Sequence, residues 1–438
     1  MKNLFEFLKL SKFRQSENRQ MKLVGCSFFY FFCLLCSYFI LRPLRDEMGI
    51  VNGAVNMQWL FTGTFVAMLF IVPVFGWLMA KTSIKRVLIF SYAFFIANIL
   101  LFYFLFENVG ITKPVAIAFF IWLSVFNLFV VSLFWSFMAD VFTGKTSKRF
   151  FGIIASGGSL GALTGPLIAN YLAQQFAVNV LLLAAVSFLF LALCCIYIIL
   201  SLSDKKYTYN TEINRSISTK QLFKGIQNIA KSRYLQSIVI FILLYTTIST
   251  ILYFEQAHVV ENTLVQQNQR LAYFSKIDFS VNAIAIIGQL LLTGKIIQKF
   301  GLAKVLASVP FLMGLGLFFL GTNSSLWVIA VLMVVHRAGN FMLLRPSREI
   351  LYTVTSLEEK YKSKNFIDTA IYRGGDALVG WLFAGLVAIG WGLGAIAFLA
   401  IPLSFIWSFV GYSLGKQQYR KENALTLNNT IYENSIKS

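Results

Sequence analysis

The chain has 438 residues, of which 58% are hydrophobic, 13% are charged and 45 are phenylalanine. A water-soluble core of this size cannot hide so much apolar surface, so the composition excludes a soluble globular protein and points to a polytopic membrane protein. The formal net charge of +20 would suit a nucleic-acid binder, but the basic residues recur in step with the apolar segments, which excludes a nucleic-acid polymer as partner.

Twelve apolar segments are expected to span the bilayer, at residues 22–41, 58–80, 86–106, 114–139, 150–173, 178–202, 235–255, 272–294, 303–321, 325–348, 365–389 and 391–415. Each is long enough to cross the ~30 Å hydrocarbon layer as a helix. Backbone polar groups in lipid must be satisfied within the helix itself, so the expected fold is an all-α bundle of twelve transmembrane helices. A hydrophilic stretch at 203–234 divides them six and six. The expected organisation is an N-terminal segment 1–21, a bundle 22–202, a linker 203–234 with an amphipathic piece at 218–232, a bundle 235–415 and a tail 416–438.

The first 21 residues carry Lys2, Lys9, Lys12, Arg14 and Arg19 without a small-residue cleavage site, so the first apolar run reads as a retained span. Lys81, Lys85 and Arg86, then Lys145, Lys148 and Arg149, the linker, Lys295, Lys299 and Lys304, and finally Lys416, Arg420 and Lys421 fall on one side. By the positive-inside rule both termini are expected in the cytoplasm, with the chain in a bacterial inner membrane.

Against that rule, "YFILRPLRDEMGI" (38–50) places Arg42, Arg45, Asp46 and Glu47 at the outer end of the first span. They either snorkel and pair among themselves or line a path for an anion. Cys33 and Cys36 mimic a CxxC pair, but no second pair accompanies them, and neither metal nor cofactor is expected. "ADVFTGKT" (139–146) has the loose spelling of a phosphate loop. It follows a membrane span and no strand, so nucleotide hydrolysis is not expected, and no catalytic constellation indicates an enzyme.

The fifth span reads "FGIIASGGSLGALTGPLIANYL". Gly157, Gly161 and Gly165 recur every four residues, forming a smooth stripe for close helix approach. Gly152, Gly161, Gly165 and Pro166 reproduce most of the antiporter motif of major facilitator transporters, with Ala169 and Asn170 where that motif has glycines.

Glu255 and Asp278 near the outer interface are candidate coupling groups. In the tenth span, "VVHRAGNFMLLRPSRE", Arg337 lies near mid-membrane, and regular helical spacing puts Asn340 and Arg348 on its face, with Arg345 toward the cytoplasmic end. In the eleventh, "NFIDTAIYRGGDALVGW", Arg373 shares a face with Asp376. Ionisable groups at such depth cost several kcal/mol unless they face a cavity and find partners. The excess of guanidinium over lysine suits phosphate or carboxylate, which Arg grips with a planar fork.

The halves look duplicated. "GWLMAKTSIKRVL" (76–88) aligns with "GKIIQKFGLAKVL" (294–306), and "GGSLG" at 157 aligns with "GGDAL" at 374 at nearly the same offset. A six-plus-six duplication resembles the major facilitator superfamily, which implies alternating access by rocking. "ILRPLRDEMG" (40–49), "LFWSFMADVF" (133–142) and "YKSKNFIDTAIYRGGDALVGW" (361–381) resemble the ATP/ADP translocase family of plastids and intracellular bacteria. That resemblance implies nucleotide exchange without hydrolysis. It places the family's basic and acidic motif residues on Arg42, Arg45 and Asp46, its acid at the end of the fourth span on Asp140, and its late basic residue on Arg373. The expected partners are a small anionic cargo, a nucleotide, and the lipid bilayer. The alternative is a proton-coupled exporter of organic anions or siderophores, with Asp376, Glu255 or Asp278 as the protonated group.

Overall fold

The computed structural model describes residues 2–142, 145–202, 227–356, 363–364 and 366–437. The expected amphipathic piece of the linker lies largely outside these residues, as does the middle of the 139–146 phosphate-loop lookalike. Among the described residues there is no β-strand.

The helices are α1 (Lys2–Val51), α2 (Met57–Lys81), α3 (Ile84–Asn108), α4 (Lys113–Val141), α5 (Lys145–Gln175) and α6 (Asn179–Leu202). There follow α7 (Arg233–Thr263), α8 (Gln267–Leu291), α9 (Thr293–Thr322), α10 (Leu326–Gly339), α11 (Arg345–Leu351), α12 (Tyr372–Ala388) and α13 (Leu393–Lys437). Eleven of the described helical stretches are long and apolar enough to cross a membrane. The remaining expected span is α12, extended at its start by a π-helix, Ile367–Ile371. The result is the twelve-span, all-α membrane fold anticipated from hydropathy.

The chain forms two compact units. The first takes in α1, α2 from Val74, α3 to α6, and Gln266–Phe279 at the start of α8. The second takes in Asn52–Pro73, α7, the rest of α8 from Ser280, and α9 to α13. The division in α2 falls at Pro73, where the missing N–H removes a ladder bond and weakens the helix locally.

In the first unit α5 lies against α1 at backbone range. A Cβ added at Gly157 would run into the carbonyl oxygen of Phe28, one at Gly161 into that of Phe32, and one at Gly165 into Phe39 and the Cys36 carbonyl. Only glycine allows this approach. Gly152 has open space around it and lies off the seam, while Pro166 is buried in the helix interior. Aromatic rings fill the rest of the core, with Phe31 stacked on Phe134 at 4.0 Å and the Tyr30 and Tyr92 hydroxyls hydrogen-bonded at 2.6 Å. All five cysteines are free.

In the second unit α9 and α13 pair closely. The hydroxyl of Ser404 donates to the carbonyl of Pro310 at 2.8 Å and that of Ser408 to Ala307 at 2.9 Å, while Gly411 and Gly415 meet the α9 backbone at Leu306 and Ala303. Gly301 interrupts α9 at φ 78°, ψ 157°, a backbone region that side chains disfavour.

Candidate functional site

Two clusters of charged side chains lie inside membrane-spanning helices, one in each unit. In the first unit α1 supplies Arg42, Arg45, Asp46 and Glu47, and the start of α8 supplies Arg270 and Asp278. Arg45 grips Asp46 through Nε at 3.1 Å and Nη2 at 2.7 Å, and its guanidinium lies over the Phe120 ring at 5.1 Å. Arg42 faces Asp278 at 3.6 Å, beyond hydrogen-bond length, and its Nε has no hydrogen-bond partner. Glu47 is not a partner of either α1 arginine. Its fully buried carboxylate accepts a two-pronged grip from Arg270, at 2.7 and 2.8 Å. Asp278, expected near an interface, is only 1% exposed.

Sequence reasoning missed Arg270. It lies in a stretch set aside as a loop, and its partner is 223 positions away. The available signal was a second arginine on the side where basic residues are scarce, as with Arg42. Asp140 is half-buried in the last turn of α4. It lies about 30 Å along that helix from Phe120, at a rise of about 1.5 Å per residue. The structure therefore does not bring Asp140 to the Arg42 and Arg45 cluster.

The second cluster is built on an irregular backbone. Pro346 has no N–H, so the carbonyl of Met342 loses its partner four residues on, and Asn340–Leu344 winds as a π-helix. The freed carbonyls find side-chain donors: Thr293 Oγ1 bonds to Met342 at 2.8 Å and Gln289 Nε2 to Phe341 at 2.8 Å. The wider turn takes up one extra residue, about 100° of rotation at 3.6 residues per turn. Arg348 accordingly leaves the face of Arg337, contrary to the regular-helix expectation that Arg337, Asn340 and Arg348 form one stripe. Arg337 and Asn340 are half-buried and Arg345 is exposed, its guanidinium over Phe341 at 5.8 Å.

Arg348 instead faces Asp368 at 3.4 Å, in the π-helix before α12. Asp368 stood in the quoted eleventh-span string and was passed over, because its partner could not be read from spacing. At the start of α12, Arg373 faces Asp376 at 3.6 Å, and Asp376 also accepts from Thr250 of α7 at 3.2 Å. Arg373 is 38% exposed along its side chain, unusual for a guanidinium in an apolar span. The Gly374–Gly375 pair ahead of Asp376 permits this closeness, since a Cβ on Gly375 would press on Thr246 of α7. Glu255 of α7 is fully buried, and neither of its carboxylate oxygens has a hydrogen-bond partner. Among the described residues no group of three or more His, Cys, Asp or Glu could hold a metal ion.

Arg45 and Arg270 are tightly paired, whereas Arg42 in the first cluster and Arg348 and Arg373 in the second face their acids at 3.4–3.6 Å, at or beyond the edge of hydrogen bonding. Such arginines can exchange a weak internal partner for the oxygens of an incoming anion.

An alignment of 222 positions, covering 44% of this chain and 41% of the length of "ADP,ATP carrier protein 2" of Chlamydia pneumoniae, is 23% identical. Among solved structures, a POT family transporter in complex with a thioalcohol-conjugated peptide superposes with a TM-score of 0.65 at 12% identity, covering 90% of this chain and 96% of the other. The nucleoside transporter NupG superposes with a TM-score of 0.58 at 13% identity, covering 92% and 99%. The xylose transporter XylE from E. coli does so with a TM-score of 0.61 at 10% identity, covering 90% and 96%. At these identities the likeness is one of fold. Residues 23–355 match the Major Facilitator Superfamily, and the chain therefore belongs to that superfamily of multi-pass membrane transporters.

Proposed function

We propose that this transporter exchanges phosphorylated anions of the ATP and ADP type across a bacterial inner membrane by alternating access, with both termini in the cytoplasm. The observation that carries this reading is the pair of loosely held arginines inside apolar helices, Arg42 with Asp278 and Arg373 with Asp376, each at 3.6 Å. A guanidinium inside an apolar span costs several kcal/mol unless it finds water or a partner, and a tight internal bond would offset that cost better than these distances do. A cargo with several negative oxygens supplies bidentate, charge-assisted bonds that a sugar or an uncharged peptide does not. The carrier-like stretch shared with the chlamydial protein supports the nucleotide class within that chemistry. Gly161 and Gly165, packed against α1, fit a seam on which helices rock during exchange.

Counterflow into proteoliposomes tests the proposal. Vesicles preloaded with ADP should accumulate labelled ATP well above vesicles loaded with xylose or a dipeptide. Equal accumulation under all three loads would refute nucleotide exchange.

A further inference from the structure

Among the described residues of the second unit, most acidic side chains are engaged. Glu261 accepts from the Ala54 N–H at 3.2 Å, Glu349 binds Lys364 at 2.6 Å, Asp368 faces Arg348, and Asp376 has both Arg373 and Thr250. Glu255 differs. It is 0% exposed, both oxygens lack a hydrogen-bond partner, and no ion pair reaches it among the described residues.

Glu255 lies on a largely apolar row of α7. At spacings of three and four, Glu255 continues the row of Phe241, Tyr245, Ile248 and Leu252 along α7. Phe241 and Tyr245 in that row pack on Trp407 of α13, and Tyr245 stacks on His336 of α10. The titratable and charged groups on the elements packed against α7 include His336 and Arg337 of α10, Tyr372, Arg373 and Asp376 of α12, Asp368 of the adjoining π-helix, and Tyr412, Lys416, Tyr419, Arg420, Lys421 and Glu422 of α13, with Arg233, Tyr234, Tyr245, Tyr253, His258 and Glu261 on α7 itself. None forms a hydrogen bond or ion pair with Glu255. An ionised carboxylate there would be an uncompensated charge costing several kcal/mol, whereas the neutral acid avoids that cost. Asp278 and Asp376, the other acids that could bind a proton, each have a cationic partner.

We infer that Glu255 is a proton-binding site of the transporter, occupied while α7 is closed over it and emptied when water reaches the row. The assignment holds for any cargo and does not depend on nucleotide exchange. The test is infrared spectroscopy of the full-length protein in liposomes, which needs no substrate. The wild type should show a protonated-carboxyl C=O band that is lost in Glu255→Gln and returns at a shifted frequency in Glu255→Asp. Retention of counterflow or of a monodisperse elution profile shows that each variant is folded. A wild-type band that persists unchanged in Glu255→Gln overturns the assignment, as does a band absent from both.

Discussion

Arg42 illustrates the balance struck at single residues. Its guanidinium rests on the Phe39 ring at 5.7 Å and faces Asp278 at 3.6 Å, with the acid 1% exposed. Removing one member of a buried pair strands the other, so Arg42→Gln and Asp278→Asn should each destabilise the protein by on the order of 3 kcal/mol. The double variant should lose less than the sum of the two. Thermal unfolding in detergent measures this, and strictly additive losses would show that the two groups do not interact. Arg42, Arg45 and Arg373 were legible in the sequence because a charge inside an apolar run, or on the wrong side of it, is visible in one dimension. The partners close in sequence, Asp46 for Arg45 and Asp376 for Arg373, were legible from spacing, whereas the distant ones were not. Glu47 stands two residues from Arg45, yet it is held by Arg270, and Arg348 by Asp368, because pairing is decided by packing between helices remote in sequence.

Elements show where regular spacing succeeds and where it fails. The four-residue recurrence of Gly157, Gly161 and Gly165 identified a close helix seam, which α5 makes with α1. Gly161→Ala drives a methyl into the Phe32 carbonyl, and since backbone cannot yield cheaply it should cost about 1–3 kcal/mol. Gly152→Ala, with nothing within 4 Å, should be neutral or slightly stabilising, although both positions belong to one sequence motif. Comparing the melting temperatures of the two variants checks the seam. In the tenth span the expected stripe failed at Pro346. A proline in the interior signals a disturbed ladder, but the π-turn that results depends on Thr293 and Gln289 from other helices to cap the released carbonyls. Thr293→Val keeps the shape and strands the Met342 carbonyl, which should lower stability by about 1–3 kcal/mol. Adding Pro346→Ala restores an N–H donor and should recover part of that loss, again read from thermal unfolding.

At the scale of the whole molecule, hydropathy sufficed for the class and for the twelve spans, because the bilayer imposes apolar, helical spans on the chain directly. The composition of the two compact units was beyond reach. Residues 52–73 and 266–279 take their places by contact, and Pro73 marks one of those divisions without announcing it. The fold serves cargoes as unlike as peptides, nucleosides and sugars in the solved transporters, so fold alone selects no substrate and the choice falls to the buried charges. The most direct measurement is ATP counterflow into ADP-loaded proteoliposomes for the wild type, Arg373→Gln and Arg373→Lys. Loss of one charge-assisted contact predicts a drop of about tenfold or more for Arg373→Gln and a smaller one for Arg373→Lys, which keeps the charge without the fork. Counterflow in Arg373→Gln equal to that of the wild type would contradict a guanidinium role in cargo recognition.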